Sequence, residues 1–182
     1  MNLGGDRQAE LADLLHKAAV LGNASAALDL AKMYFRGKGG LAKNPEESLR
    51  LIQQAVAGDN PETWAMVAQA YELGNFGLPK DEKQAARLFK QAGDQGISFA
   101  HYRLGRFYEE GKGGLSRDTR EAARLYKLAA DQGNADATIA LAHYMAEGQG
   151  GYAADKAKAV EYLKRAARWS TQAKDELTKM GG

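Results

Sequence analysis

Apolar side chains recur along this chain in two alternating helical patterns, and the pair repeats every 37 residues. In the first pattern Ala26, Leu30 and Tyr34 lie at i, i+4 and i+8, on one helix face. Thr63, Val67 and Tyr71, then Ala100, Leu104 and Tyr108, then Ala137, Leu141 and Met145 hold the same places in later copies. The second pattern puts Leu51, Leu88, Leu125 and Tyr162 in one column and Ala55, Ala92, Ala129 and Ala166 in another. Two columns stay small: Ala31, Ala68, Gly105 and Ala142 on the first helix, and Ser48, Ala85, Ala122 and Ala159 on the second. Small columns let helix axes approach, while the large residues fill the space beside them. Strand signals are absent, so the pattern predicts an all-α chain.

Polar and glycine positions punctuate these helices. Gly37, Gly74, Gly111 and Gly148 follow the first helix, with Gly40, Gly77, Gly114 and Gly151 in the same phase. Glycine there ends the helix and supplies the positive φ of a tight exit. Asn44, Asp81, Asp118 and Asp155 stand where the second helix begins and predict N-caps. Glu47, Gln84 and Glu121 lie three residues on, the spacing of a capping box, and Pro45 suits the first helical position. Gly22, Gly96 and Gly133 end the second helix, where the second copy has Gly58–Asp59. The chain therefore reads as a single domain: a half-repeat helix over 6–21, repeats over 22–58, 59–95, 96–132 and 133–169, and a capping helix over 170–182.

Ten helices are expected. In the last, Lys174 and Thr178 fall in the Ala26 and Leu30 columns, a polar end that would stop further stacking. One such hairpin buries both its faces only by stacking on neighbours, so the expected architecture is a right-handed α/α superhelical solenoid.

Composition narrows the functional classes. The 182 residues are 45% apolar and 26% charged with a net charge of +2, which argues against disorder and against a dedicated nucleic-acid binder. The absence of cysteine removes disulfides, thiolate metal sites and a cysteine nucleophile. No apolar run reaches the roughly 18 residues of a membrane span, so membrane insertion is not expected. Met1 to Gly5 has neither the positive nor the apolar region of a signal peptide. A soluble protein is expected, cytoplasmic, or periplasmic if a leader has been trimmed.

The repeat resembles the Sel-one-like repeat family, relatives of the tetratricopeptide repeats. The third copy reads AHYRLGRFYEEGKGGLSRD over 100–118, followed by Ala122 and Ala129, and the second has the loop GNFGLPKD over 74–81. The likeness covers about residues 17 to 168. It departs at Ala31, where the family favours Gly, at Met145 in place of Tyr, and at Phe76, where a loop glycine is lost. The resemblance implies a non-enzymatic scaffold or adaptor that binds a protein or peptide in a concave groove. Bacterial members include regulatory proteins and immunity proteins that neutralise an effector.

The first helices of such a stack line the groove. By helical phase their outer stripe holds Ser25, Asp29, Lys32 and Arg36, then Glu62, Met66, Gln69 and Leu73. It continues with Phe99, Arg103, Arg106 and Glu110, then Asp136, Ala140, His143 and Glu147. These columns vary among the copies while the core columns do not. Met66, Phe99, Arg103 and Arg106 combine apolar, aromatic and Arg side chains, the chemistry enriched at interface hot spots. Phe99 alternatively packs locally. Trp64 is expected between repeats, and Trp169 at the junction with the last helix.

Catalytic chemistry leaves little trace. His16, His101 and His143 lie at unrelated phases, and no H-E-x-x-H occurs, so neither a metal site nor a cofactor is expected. The GKGG segments at 37 and 111 precede no strand and read as turns, and Glu109–Glu110 as surface charge at a helix end. The alternative function is an enzyme or small-ligand binder acting on cell-envelope material, which requires Glu, His or Ser groups converging in a pocket. Oligomeric state is open at this stage, monomer or weak dimer.

Overall fold

The computed structural model describes residues 3–181; Met1, Asn2 and Gly182, the outermost residues of the expected end segments, lie outside them. Ten helices and no strand occur among the described residues. They are α1 (Leu3–Val20), α2 (Ala24–Arg36), α3 (Pro45–Ala57), α4 (Pro61–Leu73), α5 (Glu82–Asp94), α6 (Ser98–Glu110), α7 (Thr119–Asp131), α8 (Ala135–Glu147), α9 (Lys156–Ala166) and α10 (Thr171–Lys179). The helices gather into two compact units, Met1–Leu88 and Phe89–Gly182, with the border inside α5. In the first unit α2 packs on α3 and on α1; in the second, α6 packs on α7, α7 on α8, and α8 on α9.

The first helix of each of the four repeats ends the same way. Gly37, Gly74, Gly111 and Gly148 take φ between 65 and 70°. The next N–H bonds back to a carbonyl in the last turn: Lys38 to Met33, Asn75 to Ala70, Lys112 to Phe107 and Gln149 to Tyr144. This is a Schellman turn repeated four times. At Gly150 the turn also demands a close approach. A Cβ there would lie 2.6 Å from Ala123 Cβ and 2.8 Å from the Thr119 carbonyl oxygen, at φ +60°. Phe76 stands at the equivalent place in the second copy and adopts φ 57° without being glycine. Its ring meets Phe35 edge-on at 6.2 Å, and its carbonyl accepts from Ser48 Oγ at 3.3 Å. Those contacts hold a bulky residue in a backbone region that costs about 1–3 kcal/mol.

The expected N-caps form, and the expected capping boxes do not close. Asn44, Asp81, Asp118 and Asp155 accept from N–H groups two or three residues on at 2.9–3.0 Å. Their own N–H groups are already taken: Asn44 donates to Tyr34 O, Asp81 to Tyr71 O, Asp118 to Tyr108 O and Asp155 to Met145 O, at 2.7–2.9 Å. Glu47, Gln84 and Glu121 therefore turn forward to Arg50, Arg87 and Arg124. The Tyr column's carbonyl, not a side chain, ties the end of each first helix to the start of the second.

The core lies where the small columns predict it. Ala31, Ala68 and Ala142 are fully buried, as are Ser48, Ala85, Ala122 and Ala159. A further column, unremarked in the sequence pattern, fills the centre: Ile52, Phe89, Tyr126 and Leu163 are all at most 1% exposed. At Gly105 the missing side chain makes room for Tyr126, whose ring would lie 2.7 Å from an added Cβ.

The last helix corrects the expected register. α9 has 11 residues against 13 in α3 and α7, and the cap falls on Ser170, whose Oγ accepts from Ala173 N–H at 3.2 Å. Counted from that cap, Ala173 takes the place of Ala26 and Leu177 that of Leu30, so Lys174 and Thr178 are not core positions. Ala173 is fully buried with Leu177 and Met180 packed beside it. The polar end survives in other columns: Asp175 and Thr178 are exposed where the interior repeats carry Leu28, Ala65, Ala31 and Ala68. Trp169 does not seal this junction. It is 61% exposed, at the rim of a shallow cleft beside Thr138, Tyr162 and Arg165.

Two glycine substitutions separate strain from collision. Gly133 also has positive φ, +85°, with nothing within 4 Å of an added Cβ. Gly133→Ala should cost the backbone penalty alone, about 1–2 kcal/mol, and Gly150→Ala clearly more. Urea unfolding followed by circular dichroism measures both; equal losses would show that the turn at Gly150 relaxes freely.

Candidate protein-binding face

The sixteen residues expected at the groove keep their side chains at least partly accessible; none falls in the buried core. In the first unit, α2 presents Asp29, Lys32 and Arg36. Lys32 pairs with Asp29 at 2.8 Å, one turn away, and the Arg36 guanidinium lies 5.5 Å above the Phe76 ring. On α4, Met66 is 50% and Leu73 56% exposed, with the half-buried Gln69 between them in phase. Trp64 turns inward as expected, 7% exposed, and its indole N–H donates to the Val56 and Gly58 carbonyls.

The second unit gathers more. Phe89 of α5 is fully buried and packs edge-on against Phe99 at 6.0 Å and Phe107 at 5.9 Å. That contact fixes the half-buried Phe99. The Arg103 guanidinium then lies 5.9 Å from the Phe99 ring centre and 6.0 Å from that of Phe89. Stacking on ring faces orients the guanidinium. One turn on, Arg106 pairs with Glu110 at 2.5 Å, and Lys112 reaches the same carboxylate. Burial works to raise Glu110, but the hydrogen bonds from Lys112 and Arg106 outweigh it and hold the carboxyl below the usual range. On α8, Ala140 is half-buried and His143 Nε2 stands 3.4 Å from Glu176 of α10. Lys179 bonds Glu176 at 2.6 Å and is the main cause of that carboxyl's lowered pKa. α10 thus adds two residues to the edge of this face. The sequence pattern missed them because its register there was one residue off.

Glu109 is not the surface charge it was expected to be. It is half-buried, and the Tyr126 hydroxyl donates to its Oε2 at 2.7 Å. Tyr126 is flanked by the rings of Tyr102, at 6.0 Å, and Tyr144, at 5.6 Å. Burial first, and then the Glu109 carboxylate, push the Tyr126 and Tyr144 phenols well above their ordinary range. Nothing in the local sequence marks this cluster, because Glu109 and Tyr126 meet only across the α6–α7 hairpin.

A polar cleft of about 290 Å³ also opens in this unit beside His101. Its carboxylates are engaged: Asp94 with Lys90 at 2.9 Å and Glu121 with Arg124 at 2.6 Å. Burial and then the Arg124 charge hold His101 below its usual pKa. Its buried Nδ1 has no hydrogen-bond partner among the described residues. No group of three potential metal-ligating side chains occurs among the described residues, and no helix there is long and apolar enough to cross a membrane.

Comparison with known proteins gives one consistent answer. The Sel1 repeat family model matches residues 24–60, 65–97, 98–134 and 135–168. A Sel1 repeat protein from Oxalobacter formigenes is 34% identical over 93% of this chain and 48% of its own, with a TM-score of 0.77. A protective antigen of uropathogenic Escherichia coli strains, with an SLR fold, is 27% identical over 93% of this chain and 36% of its own, with a TM-score of 0.83. Helicobacter pylori cysteine rich protein B shares the fold at 21% identity over 69% of this chain and 94% of its own, TM-score 0.54. The chain spans about half or less of the first two. No protein with a curated description matches it.

The Tyr126–Glu109 bond gives a testable pH dependence. Below pH of about 10, where a free phenol ionises, both folded and unfolded chains keep the Tyr126 proton. Above it the unfolded chain loses the proton while the folded chain retains it, so stability falls as pH rises. Tyr126→Phe should cost about 1–3 kcal/mol at neutral pH and make the fall above pH 10 shallower. Denaturant titrations at pH 7, 9.5 and 11 test this; parallel curves for the two proteins would refute it.

Proposed function

Because the chain belongs to the Sel1 repeat family, whose members are generally protein-interaction scaffolds, we propose that it is a non-enzymatic adaptor. It binds a protein or peptide on the outer stripe of its first-type helices, centred in the second unit on Phe99, Arg103 and Arg106. The observation that carries this reading is the stacked pair of Arg103 and Phe99. The buried Phe89 holds both in place, and both stay partly accessible. An arginine whose orientation is already fixed loses little conformational freedom on binding, which is how rigid anchors gain affinity. Phe99 stays half-exposed beside the two arginines, so the reading favours a partner segment that brings apolar side chains to it.

The polar cleft beside His101 supports the binding reading over catalysis. Its carboxylates are held by Lys90 and Arg124, which leaves them poorly placed as general bases.

A pull-down from native lysate, with Arg103→Glu/Phe99→Ala beside wild type, tests the assignment. A partner should be enriched by wild type and reduced at least tenfold, about 1.4 kcal/mol, with the folded variant. Retention of the same partners by both proteins would place the interface elsewhere.

A further inference from the structure

We propose that α1 is a self-association helix: two copies of this chain pair through it, antiparallel, along a seam of Leu11, Leu14, Ala18 and Leu21. The proposal goes beyond the partner-binding face and uses different residues.

The first observation is what this face is in the rest of the molecule. Leu11 lies in the column of Ser48, Ala85, Ala122 and Ala159, and Leu14 in that of Leu51, Leu88 and Leu125. Those interior residues are 0–2% exposed, each under the first helix of its own repeat. On α1 the same columns are bare: Leu11 is 49% exposed and Leu14 57%, and Leu21, the residue that follows the helix, is 87% exposed. The helix buries a different side, through Ala12 and Ala19, against α2.

The second observation concerns what can cover it. The interior column is small because a hairpin mate approaches it closely; the packing of Gly105 against Ala122 and Tyr126 shows how little room is left. Leucine at position 11 blocks that approach. α1 also continues upstream as helix through Arg7, where the interior repeats place the N-cap. The face is therefore not shaped for an ordinary first-type helix. Its spacing also suits a coiled-coil seam, which a second copy of the same helix presents in turn. Arg7, Leu11, Leu14, Ala18 and Leu21 follow steps of four, three, four and three, so they alternate between the a and d places of a heptad.

Charge then chooses the partner. Glu10 and Lys17 both precede an a residue, one heptad apart on the same edge of the seam, and both side chains are exposed. In an antiparallel pair like edges face each other, so Glu10 of each copy meets Lys17 of the other, twice by symmetry. The same arrangement brings Arg7 to the carbonyl end of the facing helix, with its aliphatic stem on Leu21. α10 does not compete as a docking site for α1. It offers the exposed Asp175 and Thr178 where an apolar seam would be needed.

Sedimentation equilibrium on the 182-residue chain tests the proposal. The expected result is a dimer that Leu14→Glu converts to a monomer with unchanged far-ultraviolet circular dichroism, since Leu14 supports no core. Glu10→Lys and Lys17→Glu should each raise the dissociation constant severalfold, and the double reversal should restore it. A chain that stays monomeric at every concentration would overturn the proposal, as would a dimer indifferent to Leu14→Glu. Failure of the double reversal to restore pairing would overturn the antiparallel arrangement.

Discussion

In the α6–α7 hairpin the two helices stand so close that one methyl group at Gly105 would lie 2.7 Å from the Tyr126 ring. The other features of the repeat serve that approach. The small columns on both helices permit it. The left-handed glycine exit reverses the chain within a few residues, and the N-cap N–H bonded to the Tyr-column carbonyl fixes where the second helix starts. The large central column of Ile52, Phe89, Tyr126 and Leu163 then fills the space the small residues leave. Close packing of this kind tolerates little change in volume, so the scaffold columns stay alike among the copies while the outer stripe varies.

The same constraint explains where chemistry is free to appear. The core of the second unit is aromatic at Phe89 and Phe107, and it reaches the surface through Phe99 and the stacked Arg103. A surface built this way takes its rigidity from the core beneath it. The Tyr126–Glu109 bond is the opposite case: a polar pair drawn inside, where its cost is met only because the hydroxyl and the carboxylate satisfy each other.

α1 and α10 differ in kind. α10 shows exposed polar residues in the columns where an interior helix is apolar, whereas α1 shows leucines. On α1, Leu11 is larger than the small residues that the interior hairpins keep in that column.

The sequence by itself determined the all-helical class, the ten helices, the 37-residue period, the caps and the small columns. Each depends on local propensity or on a pattern repeated four times, and repetition makes a weak signal strong. The outer stripe was legible too, because helical phase alone separates it from the core. What only the tertiary structure decided were contacts between residues far apart in sequence or shifted in register. Glu109 and Tyr126 meet across a hairpin, so no spacing along one helix announces them. The capping boxes stay open because the Tyr-column carbonyl reaches the N-cap N–H first, a contact spanning the whole loop. Ala173 and Leu177 took the core places of α10 because α9 is shorter than its counterparts and moves the cap by one residue. A fixed period carries no information about that step, since it is set by how the shorter helix packs rather than by the residues that repeat.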